Sequence, residues 1–283
     1  MRSPQADLRA SREVLPGQYL QTWHVPWLAV GVKAGQYVQV RTPGAWGLDL
    51  RRPFSVNTFD RSSGEVTLHF QVTGEGPARV AALRPADAAQ FYGPLGRGFD
   101  LDPRSRHLLL VAGGMGIAGV RSLVEPALAE GRHVALLFGA RTAADVYPSS
   151  LLPEEVEYVV ATQDGSLGHR GPVTDLVGRY EAWADQAFAS GPPAMLTLMS
   201  RLAGGRDARL GVARLGRKRG APVAAPGSPA ARRKSWLQVA LPQTMGCAAG
   251  TCLGCVVMGV DGPQRTCREG PVFAANELAW ELA

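Results

Sequence analysis

All four cysteines of this 283-residue chain stand near its end, as Cys247, Cys252, Cys255 and Cys267, in the order C-x4-C-x2-C-x11-C. No other feature restricts the fold as strongly, because the thiols tie the tail of the chain around one centre. C-x4-C-x2-C followed by a distant fourth cysteine is the plant-type [2Fe–2S] spacing. Gly246, Gly250 and Gly254 are predicted to let the loop wrap closely, since glycine tolerates dihedrals that other residues avoid. Structural zinc is the alternative. It usually shows two short cysteine pairs, and here only Cys252 and Cys255 form one. A thioredoxin-like pair needs no outer cysteines. Disulfides are disfavoured in a reducing compartment.

The length exceeds one ordinary compact domain and suits two with a small appendage. Hydrophobic residues at 46% and charged residues at 19% describe a globular chain. From about Val14 to Phe99 the pattern is short strands between turns. Examples are Tyr37-Val38-Gln39-Val40-Arg41 and the alternating run from Val66 to Val72, which together suggest an antiparallel barrel or sandwich over residues 1–102. Apolar strands then alternate with helices. His107 to Ala112, His133 to Phe138, Val156 to Val160 and Ala187 to Ala189 are the strands; Val120 to Ala129 and Ala194 to Leu202 are the helices. That order predicts a parallel-sheet α/β domain over 103–202. Residues 203–234 lose periodicity and fill with Gly, Ala, Pro and Arg, as a linker does. Residues 235–283 are expected to form a separate cluster module.

Two segments resemble cofactor loops. In Arg51-Arg52-Pro53-Phe54-Ser55-Val56, Arg52 can pair with a pyrophosphate, Phe54 can cover a flavin ring and Ser55 can bond a flavin atom. Gly76 would admit a phosphate to the backbone. Further on, Gly113-Gly114-Met115-Gly116 joins a strand to a helix, where backbone N–H groups can meet a nucleotide phosphate. Gly114, Gly116 and Gly119 match G-x-G-x-x-G, but the next strand ends in Gly139-Ala140-Arg141 and lacks the acidic ribose partner. Thr162 to Ser166 and Ser190-Gly191-Pro192 fall at the same predicted sheet edge, where open α/β sheets bind ligands. His24, His69, His107, His133 and His169 show no metal spacing.

The net charge is +6, yet much of it lies between Arg201 and Lys234, where Asp207 is the sole acid. A basic linker without interleaved stacking aromatics points away from nucleic acid. No apolar run reaches the roughly 20 residues of a membrane span, and the N-terminal residues lack a signal-type apolar core. The expectation is a cytoplasmic protein with neither nucleic-acid nor membrane partner.

Over nearly its whole length the chain resembles the electron-transfer subunits of NAD-linked (B-type) dihydroorotate dehydrogenases, within the ferredoxin-reductase superfamily. The likeness is carried by Ala34 to Val38, Arg51 to Val56, Gly93 to Gly96, Val111 to Ala118, Met245 to Val257 and Cys267 to Phe273. The resemblance implies a six-stranded flavin barrel, a Rossmann-like NAD domain and a C-terminal [2Fe–2S] domain. It implies FAD contacts at Arg52, Pro53, Phe54, Ser55, His69, Phe70, Gln71, Gly76 and Pro77. It further implies the four cysteines as cluster ligands, while Gly113, Gly114 and Gly116 stand as the candidate NAD contacts from the strand-to-helix turn itself. The implied partner is an FMN-containing catalytic subunit that oxidises dihydroorotate to orotate in pyrimidine synthesis, assembled as two copies of each chain. Electrons would pass from FMN through the cluster and FAD to NAD. Three positions depart from the family pattern: Pro77 replaces a threonine, Gly119 a proline and Ser190 a cysteine. Other partners for the same cofactors are a hydrogenase, a transhydrogenase or another NAD-linked oxidoreductase. A non-catalytic zinc protein with a basic arm is the alternative of another class.

Overall fold

The computed structural model describes residues 5–41, 51–209 and 235–280. The first unit runs β1 (Gln5–Leu15), β2 (Gln18–His24), α1 (Pro26–Gly31), β3 (Tyr37–Arg41), β4 (Arg52–Asp60), β5 (Glu65–Gln71), α2 (Glu75–Ala81) and β6 (Ala88–Leu95). The six strands close into an antiparallel barrel in the order β1-β2-β5-β4-β3-β6. Closure leaves no open edge to pair with another chain. Alternation decides which side chains fill it: Val38, Val40, Phe54, Val56, Val66, Leu68 and Phe70 all enter the barrel core. Helix α1 starts on a proline, where the missing N–H costs nothing, and buries Leu28 and Ala29.

The second unit runs β7 (His107–Gly113), α3 (Ile117–Val120), α4 (Val124–Ala129), β8 (His133–Ala140), β9 (Glu157–Thr162), β10 (His169–Arg170), α5 (Val177–Tyr180), β11 (Gln186–Ser190) and α6 (Pro193–Arg209). The tail adds β12 (Leu237–Ala240), β13 (Val256–Gly259), β14 (Gly262–Arg265) and β15 (Val272–Ala274). One seven-stranded sheet has the order β10-β9-β8-β7-β11-β12-β15, parallel throughout except for β15. Its central strands are apolar on both faces. Leu109, Val111 and Ala189 pack towards α5 and α6, while Leu108, Leu110 and Phe188 pack towards α3 and α4.

The tail corrects the expected division at residue 235. Strands β12 and β15 belong to the nucleotide sheet, and only the β13–β14 hairpin and the cysteine loop stand outside it. The reason is edge coverage: without Leu237, Val239 and Phe273, all buried in one core with α6, the apolar edge of β11 would face solvent. The segment expected as linker also begins later, because α6 continues to Arg209. Asp207 on that helix accepts hydrogen bonds from Ser235 Oγ at 2.7 Å and Trp236 N at 2.9 Å. The basic residues Arg217, Lys218, Arg219, Arg232, Arg233 and Lys234 lie outside the described residues.

Candidate cofactor sites

The x11 spacer between the third and fourth cysteines is the β13–β14 hairpin. Val256 pairs with Arg265, and Thr266 N donates to Cys255 O at 3.0 Å, so the hairpin returns Cys267 to Cys255. Both of these thiols are buried, Cys247 is half-buried and Cys252 is exposed. The side chains fall into two pairs. Cys247 Sγ accepts from Ala249 N at 3.4 Å and from Cys252 N at 3.5 Å, while Cys255 and Cys267 share one buried cluster. Among the described residues no three His, Cys, Asp or Glu side chains converge as one metal ion requires. A two-iron cluster asks for something different, two protein ligands on each iron. The pairing fits [2Fe–2S].

Electrostatics agree. The Cys247 thiol is held down at about 5 by the backbone N–H of Cys252, then by the Thr251 side chain and the Ala249 N–H, so it is ready as thiolate. Burial, and the neighbouring Cys255, push the Cys267 thiol up to about 12. Two buried thiols side by side ionise together only when cationic iron neutralises them. The wrapping of the loop departs from expectation. Of Gly246, Gly250 and Gly254, only Gly250 has positive φ, at 76°; Ala248 at 51° and Leu253 at 57° take the other left-handed positions. A side chain there costs about 1–2 kcal/mol, and such strain clusters at ligand clamps. Arg265 staples the loop, pairing with Glu269 at 2.6 Å and reaching Gly250 O at 3.4 Å.

On the barrel, Arg52 and Gly76 converge although 24 residues separate them. A Cβ on Gly76 would sit 2.6 Å from Arg52 Nε, so the start of α2 lies directly on the arginine side chain and any larger residue there would displace it. Pro53, Ser55 and Pro77 are half-buried, and Gln71 is exposed at the end of β5. His69 is 2% exposed, with neither ring nitrogen hydrogen-bonded. Its ring lies 5.3 Å from that of Tyr147. Unsatisfied buried nitrogens are costly, and they are what a site completed by a polar cofactor leaves in the protein. Burial lowers the His69 pKa to about 4, so the ring is neutral near pH 7. Phe54 is the residue expected to cover a flavin ring. Its ring is turned into the barrel core, edge-on to Phe70 at 5.0 Å, because β4 alternates Phe54 and Val56 inward.

At the carboxyl edge of the sheet, the Gly113 and Ser190 loops meet between β7 and β11, where the strand order reverses. Gly114 to Gly116 form a 3-10 turn running straight into α3, not a free loop before a regular helix. A Cβ on Gly116 would sit 2.0 Å from Ser190 O, so the close approach depends on glycine. The Ser190 hydroxyl is turned away, donating to Ala240 O at 3.1 Å. Gly119 has room for a side chain, its Cβ position being 3.7 Å from the nearest atom. Gly35 N donates to Ser122 Oγ at 2.9 Å, which joins the barrel to the nucleotide unit beside this edge. The hairpin spacer, the Arg265 staple and Tyr147 were not singled out in the sequence. An R-x3-E pair at 265–269 was the one local signal available.

Residues 243–279 match the family described as the iron-sulfur cluster binding domain of dihydroorotate dehydrogenase B. Over 275 residues the chain is 31% identical to the electron transfer subunit of dihydroorotate dehydrogenase B (NAD(+)) from Desulforamulus reducens, covering 95% of each. The same subunit from Geobacillus thermodenitrificans is 31% identical over 249 residues, 86% of each. Among solved structures, an NADH-dependent reduced ferredoxin-NADP oxidoreductase superposes with a TM-score of 0.75 at 23% identity, over 98% of this chain and 90% of that one. Phthalate dioxygenase reductase gives 0.57 at 19% identity, over 71% and 64%. These two likenesses concern the fold.

Proposed function

Since this chain belongs to the family of electron-transfer subunits of NAD-linked dihydroorotate dehydrogenase B, we propose that it carries electrons from the FMN of a catalytic partner, where dihydroorotate becomes orotate, to NAD. Its cofactors are FAD and [2Fe–2S], with NAD as co-substrate. Bound here, the cluster supplies one-electron transfer and the flavin gathers two electrons into the hydride that nicotinamide accepts. The protein's part is to bind and align. Cys247 with Cys252 and Cys255 with Cys267 would each hold one iron. Arg52 and the Gly76 backbone would hold the flavin diphosphate, and Ser55 and His69 would border its ring. Gly113, Gly114 and Gly116, together with the Ser190 loop, would seat the nicotinamide nucleotide.

One observation carries this reading: the cysteine loop packs on β3, whose residue Tyr37 pairs in register with Ser55 of β4. Cluster ligands and flavin strand are therefore neighbours within one chain. Leu253, Val256, Met258 and Val260 are exposed beside the ligands, an apolar surface that supports docking of the catalytic subunit there. Two copies of each chain is the assembly we propose.

Cys252→Ser tests the order of the path, since oxygen is a poor substitute for thiolate on iron. The FAD-loaded variant is expected to reduce a soluble two-electron dye with NADH at the normal rate. Assembled with its catalytic partner, it should no longer support NAD-linked oxidation of dihydroorotate. Coupled activity surviving in a cluster-free, assembled complex would sink the proposed path.

A further inference from the structure

Among the barrel strands, β3 is the one buried on both faces. Val38 and Val40 fill the barrel core, as alternation requires. The opposite face carries Tyr37 and Gln39, which are 2% and 3% exposed. What covers them is the cysteine segment. Tyr37 Oη donates to Cys267 O at 3.1 Å, and Gln39 Nε2 donates to Met245 O at 3.2 Å. The Tyr37 ring packs with Met245, Cys255 and Cys267. Met245 stands two residues before the first ligand and Cys267 is the last, so two donors on one strand grip both flanks of the ligand set.

We infer that the outer face of β3 is the seat that fixes the cluster relative to the flavin, with Tyr37 and Gln39 as positioning residues. This rests on the electron path proposed above. The tail does not need these two residues in order to fold onto the protein. Strand β15 is tied into the sheet by β12, and Arg97 holds the next stretch through Gly270 O and a 3.4 Å ion pair with Glu277. Residues 245–267 loop out between β12 and β15, and their register against the barrel depends on contacts made along the way. A buried glutamine amide is a costly choice for plain packing, since it must find a partner. Here it finds one only if Met245 sits in a single place. The other edge of the seat is the flavin strand: Tyr37 pairs with Ser55 and Gln39 with Pro53. One rigid strand thus touches a cluster ligand through side chains and the flavin segment through its backbone. Electron transfer falls steeply with distance, so slack at this seat would slow the step between cluster and flavin and leave hydride transfer alone.

The test uses Tyr37→Phe, which removes one hydroxyl and keeps the ring, Gln39→Leu, and the double variant, all in the full holoprotein. Iron and FAD content, the reduced-cluster resonance spectrum, amide hydrogen exchange of residues 245–267 and NADH stopped-flow traces are compared with the wild type. Each lost hydrogen bond should speed exchange in that segment about five- to tenfold. Reduction of the cluster after the flavin should slow, the cluster spectrum should shift, and NADH–dye turnover should stay the same. A double variant with wild-type exchange, spectrum and cluster-reduction rate would overturn the inference. Should the wild-type cluster not accept electrons from NADH at all, the electron path fails, while exchange and spectrum still decide whether β3 is the seat.

Discussion

Arg52 reaches its candidate role through a contact with Gly76 that no local pattern shows. Arg52→Ala should lose a charge-assisted contact worth about 1.5–3 kcal/mol, which is roughly ten- to hundredfold in FAD affinity. Equilibrium titration of the apoprotein with FAD measures it, and unchanged affinity would remove Arg52 from the site. His69 makes a second prediction. Its folded pKa, about 4, lies below the unfolded value of about 6.5. Between those values the unfolded chain binds a proton that the native state refuses. Stability is therefore intact above about pH 6.5 and falls as the pH drops towards 4, by at most about 1.4 kcal/mol per pH unit. Urea unfolding of the apoprotein at pH 7.5 and 5.5 should show the loss, and His69→Phe should remove most of it. An unchanged pH dependence in the variant would place the titration elsewhere.

Among the elements, the turn from β7 into α3 and the end of β11 act as one unit. Gly116→Ala places a Cβ 2.0 Å from a backbone oxygen, and such overpacking costs about 1–3 kcal/mol. We expect a lower Tm and a raised KM for NADH, because the β7–β11 crevice must open. Gly119→Ala is the internal control: its Cβ has 3.7 Å of clearance, so the same measurements should scarcely move. Equal effects of the two substitutions would mean that helix propensity matters here and the crevice does not. Several strands were plain in the sequence, β3 (Tyr37–Arg41) coinciding with the predicted run, because a two-residue period is a local property. The bounds of α6 and the membership of β12 and β15 in the sheet were not. Which strand covers an edge depends on partners far along the chain.

For the molecule as a whole, the excess positive charge of residues 201–234 bears on association. If it docks on an acidic surface of the catalytic subunit, neutralising Arg217, Lys218, Arg219, Arg232, Arg233 and Lys234 should slow binding and flatten its salt dependence. Association rates measured at low and high salt decide this. Identical kinetics before and after neutralisation would leave the segment no part in docking.

The sequence by itself determined the chemistry. Cysteine spacing, glycine turns and strand periodicity are short-range properties, and they point to a [2Fe–2S] site, an antiparallel barrel or sandwich and a parallel sheet. Tertiary structure alone decided how these meet: the thiols in two pairs, Phe54 inside the barrel, the tail in the nucleotide sheet, and Tyr37 against Cys267. The physical reason is that burial and hydrogen-bond satisfaction are settled between residues up to 230 positions apart, and a linear pattern does not record which distant surface will cover a given face.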